Sequence, residues 1–410
     1  MKIAIIESKL DGMGGSQRQA LCLAYALQNM GADVTVYALA CNKDRCFTDI
    51  LDKLKVVHLS SGYQKIKPIK IFGHLNYFRR SAMESRTAKE LAFLIDPDTD
   101  VLNAHDRLGF RVAAYAKKRI GRIPSVLMMN DILTKSWIRW RRAQFNKEYT
   151  PRLKHKLFNW LVDVYEVRKF ILPHEKIVVL DNRTKQWVYE YFGKDAAVVR
   201  SGVDVEKFPY RERNFNPQEK VKIFMAGIFF IHRRYEDAIR ALAILRNKGY
   251  EISLTIAGSY GTNQEYIDYH QNLVDLVREC GLEKCVTFPG KISDKELIDA
   301  YQQNDIYIST NHLQSWGLAA FEAMACGCPV IISNTAGASE VLTDGENALI
   351  VSAKSPEAIA ASLERLINDT PLYQSLSIKG RSFVERNISW EKYAEGMLNV
   401  FEGAIKQVRA

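Results

Sequence analysis

Short apolar runs alternate with longer amphipathic stretches along most of the chain, beginning with "KIAIIES" at Lys2–Ser8. A polar, glycine-rich "KLDGMGGSQ" follows, then "RQALCLAYALQNMG" carries apolar residues at helical spacing up to a glycine, and "DVTVYALA" is a second apolar run. This is the pattern of a βαβ unit, because a strand buried on both faces is a continuous apolar run and its crossover helix buries one stripe. The alternation repeats in "DVLNAH", "FRVAAYAKKRIG" and "PSVLMMND", and again in "EKIVVLD", "NRTKQWVYEYFG" and "AAVVRSGVD". The first half is therefore expected to be a parallel sheet wrapped by helices.

After Asp204, the polar "PYRERNFNPQEK" with its two prolines is expected to be a linker. The alternation then restarts with "KIFMAGIF", "YEDAIRALAILRNKG" and "EISLTIAGS", and continues to "DIYISTN", "GLAAFEAMACG" and "PVIIS". The expected fold is α/β, two Rossmann-like doubly wound domains facing across a cleft. Their bounds are 1–205 and 221–387, joined by the linker 206–220. Ligands in such sheets bind beyond the carboxyl ends of the strands, so the loops after strands are the places to search.

Composition adds a charge problem. The 410 residues are 47% apolar and 25% charged, ordinary for a soluble globular protein, but the formal net charge is +10. Nucleic acid, anionic lipid and phosphorylated small molecules would all answer such a charge. Much of the excess is local: segment 135–176 holds eleven Lys or Arg against four Asp or Glu, a net +7 (11 − 4). Within it Leu153, Leu157, Trp160, Leu161 and Val164 share one helical face, beside Arg152, Lys154 and Lys156. One reading is a surface helix packed on its own domain. The other is a patch for anionic lipid or a phosphorylated acceptor, with Trp137 and Trp140 at the interface.

The seven cysteines are odd in number and lack a C-x-x-C pair, which suits a reducing cytoplasm. A zinc site from Cys280, Cys285, Cys326 and Cys328 is weighed against ordinary buried thiols and set aside. The N-terminus does not have the form of a signal peptide, and no apolar run reaches the ~20 residues that span a bilayer.

Three stretches could carry chemistry. In "DGMGGSQ", Gly12, Gly14 and Gly15 let the backbone approach a ligand at a helix N-terminus, although Gln17 stands where a dinucleotide fingerprint needs glycine. In "MAGIFFIHRRYEDAI", Arg233 and Arg234 precede a helix where a phosphate would meet both guanidinium groups and the helix end. In "NHLQSWGLAAFEAMACGCPVIIS", Glu322 lies inside an apolar helix, where an unpaired carboxylate is costly, so it is expected to face a polar ligand, a donor or solvent. Gln314 lies in the loop before that helix.

The segment "SWGLAAFEAMACGCPVI" strongly resembles the signature E-x-F-G-L-x-x-x-E-A-M-A-x-G-x-P-V-I of the retaining GT-B glycosyltransferases of family 4 (glycosyl transferases group 1). "GGSQRQALCLAYAL", "SGVDVEKF", "RRYEDAIRAL" and "GASEVLTDGENALIV" resemble the family's further motifs, and "ISWEKYAEGMLNVFE" its closing helix. The resemblance implies a GT-B fold whose last helix, 388–410, crosses back to the first, acceptor-side domain. It implies Glu322 on the ribose of a nucleoside diphosphate sugar and Arg233 on the diphosphate, with Arg234 as the neighbouring choice. Backbone amides of Gly14, Gly15, Gly317, Leu318 and Ala319 would complete the cradle, and Lys291 and Ile292 would hold the base.

Three departures from the pattern stand out: Gln314 replaces its first Glu, Asn130 stands where a His near the transferred sugar is common, and Ile228 replaces an Arg. These bear on sugar identity and rate. His105 matches another recurrent position and has an equally good structural reading. The acids of "DPDTD", Asp96–Asp100, look like metal ligands of a different glycosyltransferase fold, but the resemblance implies no metal and no cofactor beyond the donor substrate.

The implied activity is retaining hexosyl transfer from a UDP- or GDP-type sugar to a glycan or lipid-linked acceptor in polysaccharide or glycoconjugate synthesis. The place of action would be the cytoplasm or the inner face of a membrane, through 135–176. A non-catalytic nucleotide-sugar binder on the same frame is the alternative. A nucleic-acid partner is not expected, because the basic segment has no recognisable binding module.

Overall fold

In the computed structural model the chain is described at residues 1–12, 14–59, 73–132, 153–261 and 263–410. These form two compact units, one of the described residues up to 201 together with Trp390–Ala410, the other of Gly202–Ser389.

The first unit is built on the strands β1 (Lys2–Ile6), β2 (Lys9–Leu10), β3 (Asp33–Ala38), β4 (Ala40–Cys41), β5 (Lys55–His58), β6 (Val101–Ala104), β7 (Ser125–Met128), β8 (Lys176–Val179) and β9 (Ala196–Val198). Seven of them form one sheet in the order β5-β3-β1-β6-β7-β8-β9, and β2 pairs with β4 beside it. All pairings are parallel, with Ile3 opposite both Val34 and Val101. The apolar runs of β1, β6 and β7 are buried, as expected for strands covered on both faces. The closing helix Trp390–Arg409 packs in this unit: Trp390, Tyr393, Ala394, Met397, Phe401 and Ala404 are its buried stripe. Its glycine at 396 is required by close packing, since a Cβ there would fall 2.7 Å from Val199 Cγ1.

The second unit has β10 (Val221–Ala226), β11 (Ile252–Ala257), β12 (Val286–Gly290), β13 (Ile306–Ser309), β14 (Val330–Ser333) and β15 (Leu349–Val351). Their order is β12-β11-β10-β13-β14-β15, again all parallel. Ile223, Ile239, Leu242, Leu254, Ile308 and Leu363 are among the residues of its core. Each fully buried side chain of this kind contributes roughly 1.5–3 kcal/mol.

Two local expectations meet different outcomes. The polar stretch 209–220 is firmly held to the second unit: the Arg213 guanidinium donates to the carbonyls of Tyr301 and Asn304 at 2.7 Å and of Cys326 at 2.9 Å. In helix Leu153–Phe170 four residues of the stripe, Leu153, Leu157, Trp160 and Leu161, are exposed and Val164 is half-buried, so the helix packs on its own unit but not mainly through that face. The inward side instead carries Phe158, edge-on to Tyr77, and Glu166, which accepts from the Tyr77 hydroxyl at 2.9 Å. Trp137, Trp140 and Arg152 lie outside the described residues. No helix among the described residues is long and apolar enough to cross a membrane.

Candidate active site

A parallel sheet whose chain winds outward in both directions leaves a crevice at the carboxyl ends of the two strands where the winding reverses. In the second unit that point lies between β10 and β13. The chain leaves β10 at Gly227, whose φ of 151° is a glycine conformation. A Cβ at Gly227 would lie 3.1 Å from Arg233 Cζ, and a Cβ at Gly258 would reach 1.9 Å from the Gly227 carbonyl oxygen. Gly227 thus leaves room for the guanidinium, and Gly258 lets the backbone of the Gly227 turn approach closely.

The loop then forms a 3₁₀ turn, Ile231–Arg233, and enters helix Tyr235–Asn247 through Arg234, a non-glycine residue at φ 55°. That conformation costs roughly 1–3 kcal/mol. It turns the two arginines to different partners. Arg234 donates to Asp237 at 2.7 and 2.8 Å and pairs with Glu236 at 3.1 Å. Arg233 has only Asn311 as a side-chain partner among the described residues, Nη1 to Oδ1 at 3.3 Å, and its buried Nε has none. The sequence offered the arginines as neighbours, and the structure leaves Arg233 as the cation not committed to a carboxylate.

Asn311 belongs to the loop leaving β13. Thr310 Oγ1 donates to the Arg233 carbonyl at 2.6 Å, and the His312 amide donates to the His232 carbonyl at 2.7 Å, so the two loops are joined. Burial, with Arg233 beside it, pushes His232 down to about 3, and it is neutral near pH 7. The second loop continues through Leu313 at φ 62° to Gly317 at φ 110°. Gly317 precedes helix Leu318–Ala325, which has no side-chain cap, so its first amides are available to an anion. The Gln314 side chain lies over this turn, with Oε1 2.9 Å from where a Cβ on Gly317 would stand. Backbone bonds from Gly337 to the Gln314 carbonyl and from Ala338 to that of Trp316, at 2.8 and 3.0 Å, anchor the loop.

Glu322 is buried on the helix, and Tyr301 Oη donates to its Oε2 at 3.0 Å. A protein partner therefore shares in satisfying the buried carboxylate, and its burial alone does not demand a ligand. Burial and the nearby Glu322 raise Tyr301 well above its ordinary value, which keeps it a hydroxyl donor. Lys291 and Ile292 follow β12, two strands from β10, with Lys291 exposed.

In the first unit the winding reverses between β1 and β6. Glu7 and Ser8 leave β1, and His105 and Asp106 leave β6. Asp106 caps helix Arg107–Ile120 through the Gly109 amide at 2.6 Å and is hydrogen-bonded to the Ser8 hydroxyl. Glu7 accepts from Ser16 Oγ at 2.7 Å, and burial reinforced by the Asp106 charge raises its carboxyl well above the usual range. Gly14 is the N-cap of helix Gly15–Asn29, which has no side-chain cap. A Cβ at Gly14 would strike Gln17 Oε1 at 2.3 Å.

Asn130 follows β7 and donates from Nδ2 to Gln19 Oε1 at 2.7 Å. Gln19 Nε2 and Asn130 Oδ1 are left buried without hydrogen-bond partners among the described residues, one donor and one acceptor. His105 is buried against Asn103 at 2.8 Å and pushed down to about 3 by burial, as a structural histidine would be. Asp96 and Asp100 both bind Lys2, through its Nζ at 2.6 Å and its amide at 2.7 Å.

Asn311, Tyr301, Gly258, Gln19 and Glu7 are site residues that the sequence reading did not single out. Only "STN" at a strand end and "ES" after β1 carried a visible signal, polar residues where an apolar run stops.

Two parallel doubly wound units, the second with an arginine-bearing loop and an uncapped helix at its switch point, define the GT-B class of glycosyltransferases. The fold is that of the Anabaena protein HepE, solved in complex with UDP and glucose: TM-score 0.73 at 17% identity, covering 98% of this chain and 99% of that one. Residues 13–207 match the family model Glycosyltransferase Family 4, and residues 206–383 match Glycosyl transferases group 1. The chain belongs to glycosyltransferase family 4. It is 24% identical over 310 residues to glycogen synthase of Mycobacterium tuberculosis, covering 74% of this chain and 69% of that protein. It is 22% identical over 416 residues to D-inositol 3-phosphate glycosyltransferase of Thermomonospora curvata, covering 97% and 92%.

Proposed function

We propose that this glycosyltransferase moves a hexosyl group, with retention of anomeric configuration, from a nucleoside diphosphate sugar to a glycan or lipid-linked acceptor. The observation that carries the reading is Arg233, a cation hydrogen-bonded to Asn311 and lying against Gly227 beside a switch point, with no carboxylate partner among the described residues. Its guanidinium and the amides of Gly317, Leu318 and Ala319 stabilise the leaving diphosphate without a metal ion. Glu322, its orientation fixed by Tyr301, takes the ribose hydroxyls, and Lys291 and Ile292 meet the base. Gln314 and the Asn130–Gln19 pair set the sugar. Gly14 and Gly15 offer amides from the first unit.

As the diphosphate leaves, positive charge develops at the anomeric carbon. The bond from that carbon to the diphosphate oxygen breaks, the acceptor hydroxyl oxygen bonds to the carbon from the same face, and its proton passes to the departing diphosphate oxygen, so no protein nucleophile is required. The reading places the reaction on the cytoplasmic side, with segment 135–176 as a surface for an anionic membrane.

Labelled UDP-, GDP- and ADP-sugars incubated with glycan and lipid-linked acceptors, with and without EDTA, test this. Transfer with an unchanged anomeric proton coupling and no EDTA effect supports it. Inversion, or binding without any transfer, would refute it.

A further inference from the structure

In the first unit three helices, Gly73–Leu94, Arg107–Ile120 and Leu153–Phe170, line a cavity of about 780 Å³ that is open to solvent on one side. Its walls include Phe78, Ala82, Tyr115, Phe158, Leu161 and Val162. A smaller cavity of about 310 Å³ adjoins it and shares Lys89 and Tyr115. The larger volume is in the range of small-molecule sites, roughly 300–1,000 Å³, and so is an apolar lining with few polar groups.

The groove is a built feature. Arg111, fully buried, donates to the Ser81 carbonyl at 3.0 Å and Ser85 Oγ at 3.2 Å, and pairs with Glu84 and Glu166. Arg107 pairs with Glu84 at 2.6 Å. These bonds cross all three helices and fix the spacing between them.

The rim is one-signed. Arg86, Lys89 and Lys169 line the larger cavity and Lys118 and Arg119 the smaller, and among the described residues neither lining includes a carboxylate. Arg86 is paired with Glu90 at 3.1 Å. Lys89, Lys118 and Lys169 have no carboxylate partner among the described residues, and Lys169 instead meets the Tyr165 hydroxyl at 2.6 Å. Around this rim Phe78, Phe93 and Leu161 are each more than half exposed, and so are Leu153, Leu157 and Trp160 farther along the last helix. A two-fold contact between copies of this face would set the same cations against one another. An apolar interior with a cationic rim and exposed apolar side chains beside it instead complements an amphiphile with a negative head.

We propose that this cavity takes an acyl chain of an anionic membrane lipid, with the phosphate at Lys89 and Lys169, so that the first unit is seated on the bilayer by an inserted lipid chain as well as by surface charge. This deepens the membrane part of the reading above and is independent of the glycosyl transfer chemistry.

The test is co-sedimentation of the full chain with vesicles of phosphatidylcholine alone or mixed with phosphatidylglycerol, over a salt series. The variants are Lys89→Glu with Lys169→Glu, Ala82→Phe, which plugs the cavity from an exposed position without a change of charge, and Leu161→Asp on the rim. Melting curves and nucleoside diphosphate binding check that each is folded. Wild type is expected on phosphatidylglycerol vesicles only, weakened roughly tenfold or more by the charge pair and also lost in Ala82→Phe and Leu161→Asp. Absence of wild-type binding would overturn both the cavity and the membrane part of the reading. Anionic binding that survives Ala82→Phe and Leu161→Asp would overturn the cavity alone. Equal binding to neutral vesicles would overturn the role of the lysines, and self-association on this face in light scattering would replace the lipid with a second copy.

Discussion

The two sheets share a parallel, doubly wound plan, yet their switch points have opposite chemistry. The first gathers Glu7, Asp106 and an Asn130–Gln19 amide pair, and the second gathers Arg233, an uncapped helix start and a neutral His232. An acid-rich, amide-bearing crevice suits hydroxyl groups, and a cationic one suits a diphosphate. On the proposed function the same backbone plan separates two tasks by the few residues just beyond the strands, while the strands themselves supply rigidity.

The largest effect is expected at the arginines. Arg233→Ala should lower kcat/KM roughly 10²- to 10³-fold, as loss of a charge-stabilising donor does. Arg234→Ala should act mainly on stability, because it strips the partner from Asp237, which is almost fully buried, at a cost of about 3 kcal/mol. Steady-state kinetics beside melting curves checks this. A larger kinetic loss for Arg234→Ala would reverse the assignment.

Glu322→Ala should raise donor KM about 10- to 100-fold by removing a buried hydrogen-bonding carboxylate. Tyr301→Phe should give a smaller rise in the same constant. Unchanged donor KM in Glu322→Ala would remove the ribose from the account.

The first unit is expected to respond to pH in two directions. His105 and His174, both held neutral by burial with values of about 3 against an ordinary 6.5, favour the folded state fully above pH 6.5. That contribution is lost as pH falls from 6.5 towards 3, since the unfolded chain then binds more protons. Glu7, raised above its ordinary 4.5, works the other way: its proton is bound in the folded state, so stability falls as pH rises above 4.5. Glu7→Gln should therefore melt at the wild-type temperature near pH 4.5 and higher than wild type at pH 7. A pH-independent difference would discard the raised carboxyl.

The smallest effect is expected for Gln314→Glu, a few-fold change in donor preference at nearly constant nucleotide affinity, because the amide and the carboxylate differ in charge more than in reach. A collapse of nucleotide binding would place 314 on the diphosphate instead.

The β-α alternation was legible because parallel strands are buried on both faces and read as unbroken apolar runs ended by polar residues or glycine. The glycine loops and Glu322 stand out through the resemblance of short contiguous motifs, and their roles belong to the proposed function. What escaped depends on contacts distant in sequence or on a single backbone angle. Tyr301 meets Glu322 from 21 positions away. Asn311 meets Arg233 across 78. The choice between Arg233 and Arg234 follows from the left-handed conformation at 234, which no composition announces. The apolar stripe of Leu153–Phe170 shows the remaining gap: periodicity identifies a face, and only the surroundings say whether that face is covered.

The central claim, that the switch point of the second unit holds the diphosphate through Arg233, is tested most directly by calorimetric titration of UDP, GDP and ADP into wild type, Arg233→Ala and Asn130→Ala. The account predicts one preferred nucleotide, at least a tenfold weaker affinity in Arg233→Ala, and wild-type affinity in Asn130→Ala. Wild-type affinity in a folded Arg233→Ala would contradict it.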